Sequence, residues 1–431
     1  MTIESPVGYF IGMAFALVVS WLLAKIPLFR HTTESQTGRF LALDGLRGFL
    51  APAVIFHHIL FFRNDAITGS YELSPTAMES IYRLLGPIPV AIFFLLTGFL
   101  FWDKALNSGG QMSALPLYRG RIRRIVPLYV FLVASVLLVT LLESGLTLRV
   151  SKGDLANELA YALSMGARTL PSINGVDVGG QAGAVTWTLG YEWRFYVILP
   201  LIAGLATLKK DTLWLLLAPF VLFGLNSHYV AYQWQFLAIL VGIGFVAMLL
   251  RKNIWMYLVP FLFVGYDSMA MLFAFGMLAA HLVRIPRFKE ILCTKVSAIL
   301  VLMLVPTIWL VVGDGYSARA EALCFAVFLP IACGNDLFGL LRLTAARHLG
   351  AISYSVYLLH CLFMYLVFRT LGFGPYLASL EPLPFWLAMA LVVGGIVVIC
   401  TLTYHYIERP FIVHTVRPVN QVAKPEEATA R

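Results

Sequence analysis

An apolar stretch at Leu43–Phe62, LDGLRGFLAPAVIFHHILFF, carries two side chains that could do chemistry, Arg47 and His58. An α-helix turns by about 100° per residue, so the side chains of Arg47 and His58 return to within roughly 20° of each other. The helical rise sets them ~16 Å apart, whereas His57 points about 80° away from Arg47. An arginine near a membrane surface and a deeper imidazole suit anion binding and proton transfer. A surface-anchoring arginine and a helix-packing histidine give the same pattern.

The composition places this helix in a membrane protein. Of the 431 residues, 60% are hydrophobic and only 12% are charged, which excludes an ordinary soluble domain. Apolar runs of spanning length recur along the chain and predict an all-α, polytopic helical bundle of about 11, up to 13, transmembrane helices. The predicted spans at 212–226 and 229–250 belong to a region, 212–265, that leaves the count open. Polar segments near 104–124 and 145–186 are predicted to lie outside the membrane.

The distribution of basic residues predicts the orientation of the chain. If Arg47 begins its helix in the cytoplasm, most of the 31 Lys and Arg residues fall in cytoplasmic connections, as the positive-inside rule requires. The N-terminus is then outside and the C-terminus cytoplasmic, which needs an odd number of spans. The first span, Val7–Phe29, follows an acidic rather than a basic start and is predicted to be a retained helix. The net charge of +9 thus reflects topology, and nucleic-acid binding is the poorer explanation.

One cytoplasmic connection carries more arginine than topology needs. The stretch Tyr118–Pro127, YRGRIRRIVP, holds four arginines in six residues at the mouth of a predicted helix. Arg121 and Arg124 are three residues apart and share one helix face. Guanidinium groups bind phosphate in bidentate fashion. Together with Arg47, these residues predict a site for a phosphorylated ligand, and lipid headgroups as counter-ions are the alternative.

A second span contains an acidic residue. The stretch Trp187–Tyr196, WTLGYEWRFY, places Glu192 in an apolar helix, and Arg194, two residues later, faces another direction. An intramembrane carboxylate is a candidate functional group. A structural ion pair with an arginine on another helix is the alternative.

The C-terminal third adds weaker polar patterns. Ser353, Tyr357 and His360 follow the i, i+4, i+7 rule and form a polar stripe, which also suits simple helix packing. The last span ends in YHYIERP, where Glu408 is followed by Pro410, a predicted helix stop. The five cysteines form no CxxC pair or histidine cluster in the sequence, which predicts neither a metal site nor disulfides. A GGQAG stretch in the second external loop is explained by flexibility.

Six stretches, in order, resemble the membrane-bound acyltransferase family 3, bacterial proteins that acylate sugars of envelope and secreted polysaccharides. The stretches are LDGLRG with the following His58, FFLLTGFL at Phe93–Leu100, the R-x-x-R pair leading into IVP, WTLGYEWRFY, LGAISYSVYLLH and YHYIERP. The resemblance divides the chain into three predicted parts. They are an extra N-terminal transmembrane helix with a cytoplasmic linker (1–40), the acyltransferase transmembrane domain (41–412) and a cytoplasmic polar tail (413–431).

The resemblance implies an acyl-CoA donor, most simply acetyl-CoA, on the cytoplasmic side and no metal. Arg47, Arg121 and Arg124 are expected to hold this donor. The acceptor is expected to be a sugar hydroxyl of an envelope glycolipid or polysaccharide. His58 would act as general base or would carry the acyl group covalently, and both mechanisms stay open. Glu192 would orient His58 or an acceptor hydroxyl.

The other polar motif residues are expected to support this site. They are Asp44, as N-cap of the Arg47 helix, Thr97, Tyr196, Ser353, Tyr357, His360 and Glu408, with His57 and His360 as weaker catalytic candidates. The chain departs from the family pattern at Thr97, where serine is usual, and at Trp193 and Arg194, where an acidic residue and a glutamine are usual. The competing class is a transporter or flippase for a glycolipid or small anion, with an intramembrane proton relay. The expected location is the bacterial cytoplasmic membrane, with the bilayer and a glycan as partners.

Overall fold

The predicted all-α architecture is confirmed. The structure, a computed structural model, describes residues 2–34, 40–166, 172–206, 268–313 and 315–413, and about 80% of it is helical. Within the described residues, five helices are long and apolar enough to cross a membrane, or up to seven if each sharply bent helix pair counts as one span. The spans predicted at 212–226 and 229–250 lie outside the described residues, so the total of 11 to 13 stays a prediction.

The helices are numbered in chain order. They are α1 (Pro6–Lys25), α2 (His31–Glu34), α3 (Leu41–Thr68), α4 (Pro75–Met78), α5 (Pro87–Asn107), α6 (Ala114–Glu143), α7 (Lys152–Ala162), α8 (Ala184–Ala206), α9 (Ser268–Leu282), α10 (Pro286–Leu292), α11 (Lys295–Val311), α12 (Ala318–Cys333), α13 (Thr344–Ala351), α14 (Ser353–Tyr365), α15 (Gly374–Ser379), α16 (Pro382–Thr403) and α17 (Arg409–Val413). Short 3-10 turns occupy Pro27–Phe29, Ile81–Arg83 and Leu340–Arg342, and π-helical turns occupy Gly179–Gly183, Leu366–Thr370 and Tyr404–Glu408. A two-stranded antiparallel hairpin pairs β1 (Ser172–Ile173) with β2 (Val176–Asp177).

Two helices begin earlier than the sequence predicted. Helix α3 begins at Leu41, so Asp44 lies in its first turn instead of capping it, and the Asp44 carboxylate is 3.7 Å from the Arg47 guanidinium. Helix α6 begins at Ala114, so Arg121 and Arg124 lie on the helix rather than in the loop before it. The proline at position 116 falls in the first turn of α6, where a missing N–H costs no internal hydrogen bond.

The helix stop predicted at Pro410 is wrong. Residues 382–412 form one apolar helical segment, in which α16 continues through the π-helical turn into α17. Pro410 is the second residue of α17, where its missing N–H is tolerated, and the wider π-helical turn before it absorbs the change in hydrogen bonding.

Helix α3 lies at the centre of the described bundle. In the apolar central stretch of α3, 78% of the residues are buried inside the protein, against 33% for α1 and 39% for α6. Helix α3 packs against α5, α13, α14 and α15. The helix that carries Arg47 and His58 is therefore surrounded by protein over most of its length, as a helix with costly polar groups in a membrane must be.

The glycines of LDGLRG allow α3 to approach its neighbours closely. A Cβ atom on Gly45 would overlap the backbone oxygen of Leu341, and one on Gly48 would overlap that of Ala346 in α13. The motif glycines are therefore explained by backbone packing, which fixes the position of the Arg47 side chain.

We expect Gly48→Ala to lower the free energy of unfolding by about 1–3 kcal/mol, because the added methyl group forces α3 and α13 apart. Thermal unfolding in detergent, followed by tryptophan fluorescence, measures the effect. Gly120→Ala on α6 is the matched control, since a Cβ atom there meets nothing within 4 Å. Equal melting temperatures for the two variants would contradict the close approach.

Helix α1, outside the common core expected from the resemblance, is packed into the bundle. It contacts α13 and α16. The Ser20 hydroxyl donates to the Ala345 carbonyl at 2.8 Å, and just before α1 the indole N–H of Trp386 donates to the Ile3 carbonyl at 2.9 Å. Residues 2–25 are thus held by specific polar contacts to distant parts of the chain.

Candidate functional site

A cavity of about 420 Å³ lies among α3, α5, α6, α8 and α14, and we call it the arginine cavity. Its polar lining residues are Arg47, Thr97, Lys104, Arg121, Arg124, Thr188, Glu192, Tyr196, Ser353, Tyr354 and Tyr357. The structure therefore brings together residues from five of the six sequence stretches. Arg47, Arg121 and Arg124 share this cavity, as the proposed phosphate site requires.

The arginine cavity holds more positive charge than its own carboxylate neutralises. The Arg121 guanidinium lies 4.8 Å from the ring centroid of Phe101 and 5.6 Å from that of Tyr196. Among the described residues, neither Arg121 nor Arg124 has a carboxylate oxygen within 4 Å. Both guanidiniums therefore keep N–H donors for an anionic ligand.

Glu192 belongs to the lining of the arginine cavity. Its carboxylate accepts a hydrogen bond of 2.6 Å from the Tyr196 hydroxyl, one turn later on α8. It also lies within electrostatic range of Arg121, Arg47 and Arg124. Among the described residues no hydrogen bond joins Glu192 to His58, and the prediction that Glu192 orients His58 stays a prediction. The role of Glu192 toward an acceptor hydroxyl also stays a prediction.

Two histidines from different helices meet at the middle of the bundle. The ring centroids of His58 on α3 and His360 on α14 are 5.1 Å apart, and we call them the histidine pair. The Nδ1 atom of His360 is 2.8 Å from the Tyr357 carbonyl oxygen, so it is the protonated nitrogen and donates there. This bond leaves the Nε2 atom of His360 as an acceptor.

His57 also lies beside His58, with ring centroids 5.1 Å apart, but its hydrogen bond leads elsewhere. Its Nδ1 atom lies 2.7 Å from the Tyr82 carbonyl oxygen and donates to it. Its contact is that of a packing histidine. His360, the other weaker candidate, is also brought beside His58, a contact between helices far apart in sequence that no local pattern could predict.

Tyr71 was missed by the sequence analysis. It follows α3, after Gly69 in the left-handed conformation (φ 75°) turns the chain back toward the bundle. The Tyr71 hydroxyl lies 3.1 Å from Nδ1 of His58. Burial raises the pKa of Tyr71 well above its usual range, so the phenol stays neutral. A lone tyrosine in a polar connection gives no signal, because only the Gly69 turn places it against the histidine.

The structure places Cys361 beside the histidine pair, a contact with His58 that the sequence spacing does not show. Its Sγ atom is 3.5 Å from Nε2 of His360, and the donor atoms of His58, His360 and Cys361 all lie within 4.8 Å of one another. Nitrogen and sulfur donors are a set that Zn²⁺ accepts. The absence of a metal at this position therefore stays a prediction.

The predicted polar stripe on α14 is confirmed as one face of the helix. Ser353 and Tyr357 line the arginine cavity, and the Tyr357 hydroxyl is 3.1 Å from the Thr188 hydroxyl. The Tyr357 and His360 rings lie 6.2 Å apart, centroid to centroid. The stripe therefore connects the arginine cavity to the histidine pair.

Glu408 lies behind the arginine cavity, not in its lining. The carboxylate is fully buried and accepts a short hydrogen bond from the Ser355 hydroxyl, which itself accepts one of 3.3 Å from Thr403. Glu408 also lies within electrostatic range of Arg124 and Arg47. Glu408 therefore interacts with the guanidiniums of Arg124 and Arg47 electrostatically, from outside the cavity lining.

The fold and the site define a helical membrane protein with a cationic cavity beside a buried histidine pair. Residues 40–405 match a family model described as an acyltransferase domain. The chain therefore belongs to this acyltransferase family, and the resemblance is confirmed.

Three relatives share parts of the chain. Acyltransferase MdmB of Streptomyces mycarofaciens is 31% identical over 168 residues, 38% of this chain and 39% of the relative. YrhL of Bacillus subtilis strain 168, provisionally named a peptidoglycan O-acetyltransferase, is 27% identical over 187 residues, 41% of this chain but 26% of its own length. Protein 2 in the picA locus of Rhizobium radiobacter is 27% identical over 200 residues, 44% of this chain and 96% of the relative. This chain thus spans well under half the length of the first two. No solved structure matches it significantly.

Proposed function

We propose that this protein is a membrane O-acyltransferase that moves an acyl group, most simply acetyl, from cytoplasmic acyl-CoA to a sugar hydroxyl of an envelope glycolipid or polysaccharide. The observation that carries the proposal is the arginine cavity, which joins three guanidiniums to the stripe leading toward His58. Acyl-CoA has its phosphates at one end and its thioester at the end of a long arm. The guanidiniums of the cavity suit the phosphate end of such a donor, and the stripe on α14 leads from them toward the histidine pair, where the thioester end would lie.

The transfer breaks the thioester C–S bond and forms an ester C–O bond. The acceptor hydroxyl has to lose its proton, and the CoA sulfur has to gain one. In the neutral form of His58 one ring nitrogen carries no proton, and its lone pair is the base that takes the hydroxyl proton and returns it to the sulfur. The same lone pair would accept the acyl group in a covalent mechanism.

The topology belongs to the same proposal. We place the arginine cavity on the cytoplasmic side of the bacterial inner membrane, with the N-terminus outside, the C-terminus cytoplasmic and an odd number of spans, 11 or 13. Residues 41–412 would form the catalytic domain, preceded by the extra helix and linker of 1–40 and followed by the polar tail 413–431.

Membranes that contain the protein are expected to transfer radiolabel from acetyl-CoA to their glycan fraction as base-labile esters. Membranes without it, and labelled acetate in place of acetyl-CoA, are the controls. Mass analysis of surface glycans from cells with and without the gene identifies the acceptor. Movement of a glycan without consumption of acetyl-CoA would contradict the proposal and favour a transporter.

A further inference from the structure

Three donor atoms that suit a soft metal ion converge in the interior of the bundle. One ring nitrogen of His58, one of His360 and the sulfur of Cys361 lie within 4.8 Å of one another, and all three residues are buried. His58 comes from α3, whereas the other two residues are neighbours on α14. We call these three residues the His–Cys cluster. The proposed transfer uses His58 but gives Cys361 no task.

The distances in the His–Cys cluster are close to those of a tetrahedral zinc site. With Zn–N bonds of ~2.0–2.1 Å and a Zn–S bond of ~2.3 Å, a nitrogen and a sulfur ligand lie about 3.6 Å apart, and two nitrogen ligands about 3.3 Å apart. The Sγ atom of Cys361 and the Nε2 atom of His360 are already 3.5 Å apart. The other separations, at most 4.8 Å, need to shorten by about 1.5 Å or less to close around an ion.

The hydrogen bonds of His360 leave its other ring nitrogen ready for a metal. The Nδ1 atom of His360 faces two carbonyl oxygens, 2.8 Å away at Tyr357 and 3.1 Å away at Val356, so Nδ1 carries the proton and donates. The lone pair is then on Nε2, the atom that faces Cys361. A backbone carbonyl on the far nitrogen is the usual outer partner of a metal-binding histidine, because it fixes the tautomer and the orientation of the ring.

Tyr71 is a similar outer partner for the other two members of the cluster. Its hydroxyl lies 3.1 Å from Nδ1 of His58 and hydrogen-bonds the Cys361 thiol. As a donor to a cysteine thiolate, this hydroxyl would stabilise the sulfur in its metal-binding form. A cluster that only packs would show the same contacts, so metal binding itself is the distinguishing measurement.

A second cavity, of about 370 Å³, leads to the His–Cys cluster. Tyr71 belongs to its lining, so the cluster lies one side chain behind the cavity wall. The charged residues of the lining are Asp65, Glu143, Asp177, Arg149 and Arg369. Carboxylates thus outnumber guanidiniums, and the lining residue Asp177 is exposed to solvent. Such an acidic entrance raises the local concentration of cations.

We propose that His58, His360 and Cys361 bind Zn²⁺ as an inhibitory ion. The three residues take three corners of the tetrahedron, and a water molecule takes the fourth. The thiol proton of Cys361 passes to water as the Zn–S bond forms. The ion occupies the lone pair of His58, which then accepts neither a proton nor an acyl group. Zinc binding is independent of the proposed function, and only the inhibition rests on it.

Zinc binding is measured on the full-length protein, purified in detergent and freed of metal with a chelator. The exposed Cys293 is first replaced by serine, which removes a surface ligand and keeps a donor for the Cys333 carbonyl oxygen, 3.2 Å away. Titration against a chromogenic chelator is expected to show a tight site in this background. Adding Cys361→Ser should weaken it by at least ~10²-fold, because a thiolate ligand is lost while a hydroxyl remains for Tyr71.

Cys400→Ser is the matched control. Cys400 is as fully buried as Cys361 but lies on α16, outside the His–Cys cluster, so its replacement should leave the zinc affinity unchanged. Mg²⁺ should not compete, because it prefers oxygen ligands. Co²⁺ in place of zinc reports the ligands directly, through a thiolate-to-cobalt charge-transfer band and intense tetrahedral d–d bands that Cys361→Ser should remove. Cys361→Ala is the second variant, for use if the serine variant does not fold.

The same preparations test the inhibition. When free Zn²⁺ is ten times its dissociation constant, about nine-tenths of the sites are filled, and acyl transfer from acetyl-CoA should fall about 10-fold. A chelator should restore the rate. The variant with Cys361→Ser should match its Cys293→Ser parent without metal, since Cys361 has no part in the proposed transfer, and should resist the same zinc concentration.

Equal zinc affinity with and without Cys361 would overturn the site, as would a cobalt spectrum that lacks the thiolate band. Tight zinc binding that leaves transfer at its metal-free rate would overturn the inhibition. A metal-free protein that shows no transfer at all would instead count against the proposed function, and the binding titration would still decide the metal site.

Discussion

Replacing His58 with alanine is expected to reduce acyl transfer from acetyl-CoA to the glycan fraction by about 10³-fold, because it removes the base that accepts the hydroxyl proton. The second histidine does not replace it, since the ring of His360 lies on another helix, 5.1 Å from the His58 ring between centroids, and cannot occupy the position of His58. Acetyl-CoA binding should persist, because His58 does not line the arginine cavity. Rates are measured in membranes with equal amounts of each variant.

His57→Gln is the matched control for this loss. It changes the adjacent residue of the same helix and keeps a donor for the Tyr82 carbonyl, to which His57 is bonded at 2.7 Å. Its activity should stay close to that of the wild type. Undiminished transfer by His58→Ala at equal expression would remove His58 from the mechanism, whichever chemistry is assigned to it.

Rapid acid quenching separates the two possible roles of His58. A covalent mechanism predicts an acetyl adduct on the peptide that contains His58 after acetyl-CoA is added without acceptor, since the acyl group then has no hydroxyl to leave to. A general base forms no such adduct under the same conditions. A modified peptide found equally in the His58→Ala variant would be unrelated to this residue.

The part of the site that lies on one regular helix could be predicted from the sequence. The spacing of Arg47 and His58 selected His58 over His57, because helical geometry alone fixes their relative direction. The partners of His58 could not be predicted in this way. His360 reaches it only through the packing of α3 on α14, and Tyr71 only through the left-handed turn at Gly69.

The errors have the same physical origin. The hydrogen-bond partner of Glu192, the Tyr196 hydroxyl, was also not predicted, because it is set by the packing around α8. The helix end predicted at Pro410 relied on the rule that proline disfavours a preceding helix. The π-helical turn at Tyr404–Glu408 lets the helix continue through Pro410 instead. The GGQAG stretch was explained by flexibility, but it forms an ordered π-helical turn with Gln181 fully buried. Local propensity is overridden where tertiary packing satisfies the backbone.

Removing both Arg121 and Arg124 by alanine substitution is expected to weaken CoA binding by about 10²-fold or more, because each guanidinium contributes roughly 1.5–3 kcal/mol through hydrogen bonds to a charged group. The dissociation constant is measured with labelled CoA and purified protein in lipid nanodiscs. Raising the ionic strength should weaken binding to the wild type more than to the double variant, since the variant has lost the charges that salt screens.

The same helix supplies the matched control. Arg119→Ala with Arg123→Ala removes two positive charges from α6 on the same membrane face, yet neither residue lines the arginine cavity. Arg284 is less suitable, because its guanidinium is 2.7 Å from the Asp103 carboxylate and its loss would leave a buried charge unpaired. A phosphate site predicts a large difference between the two double variants. Equal losses would mean that the arginines of α6 act only as anchors that set the orientation of the chain, and the donor would have to be sought elsewhere.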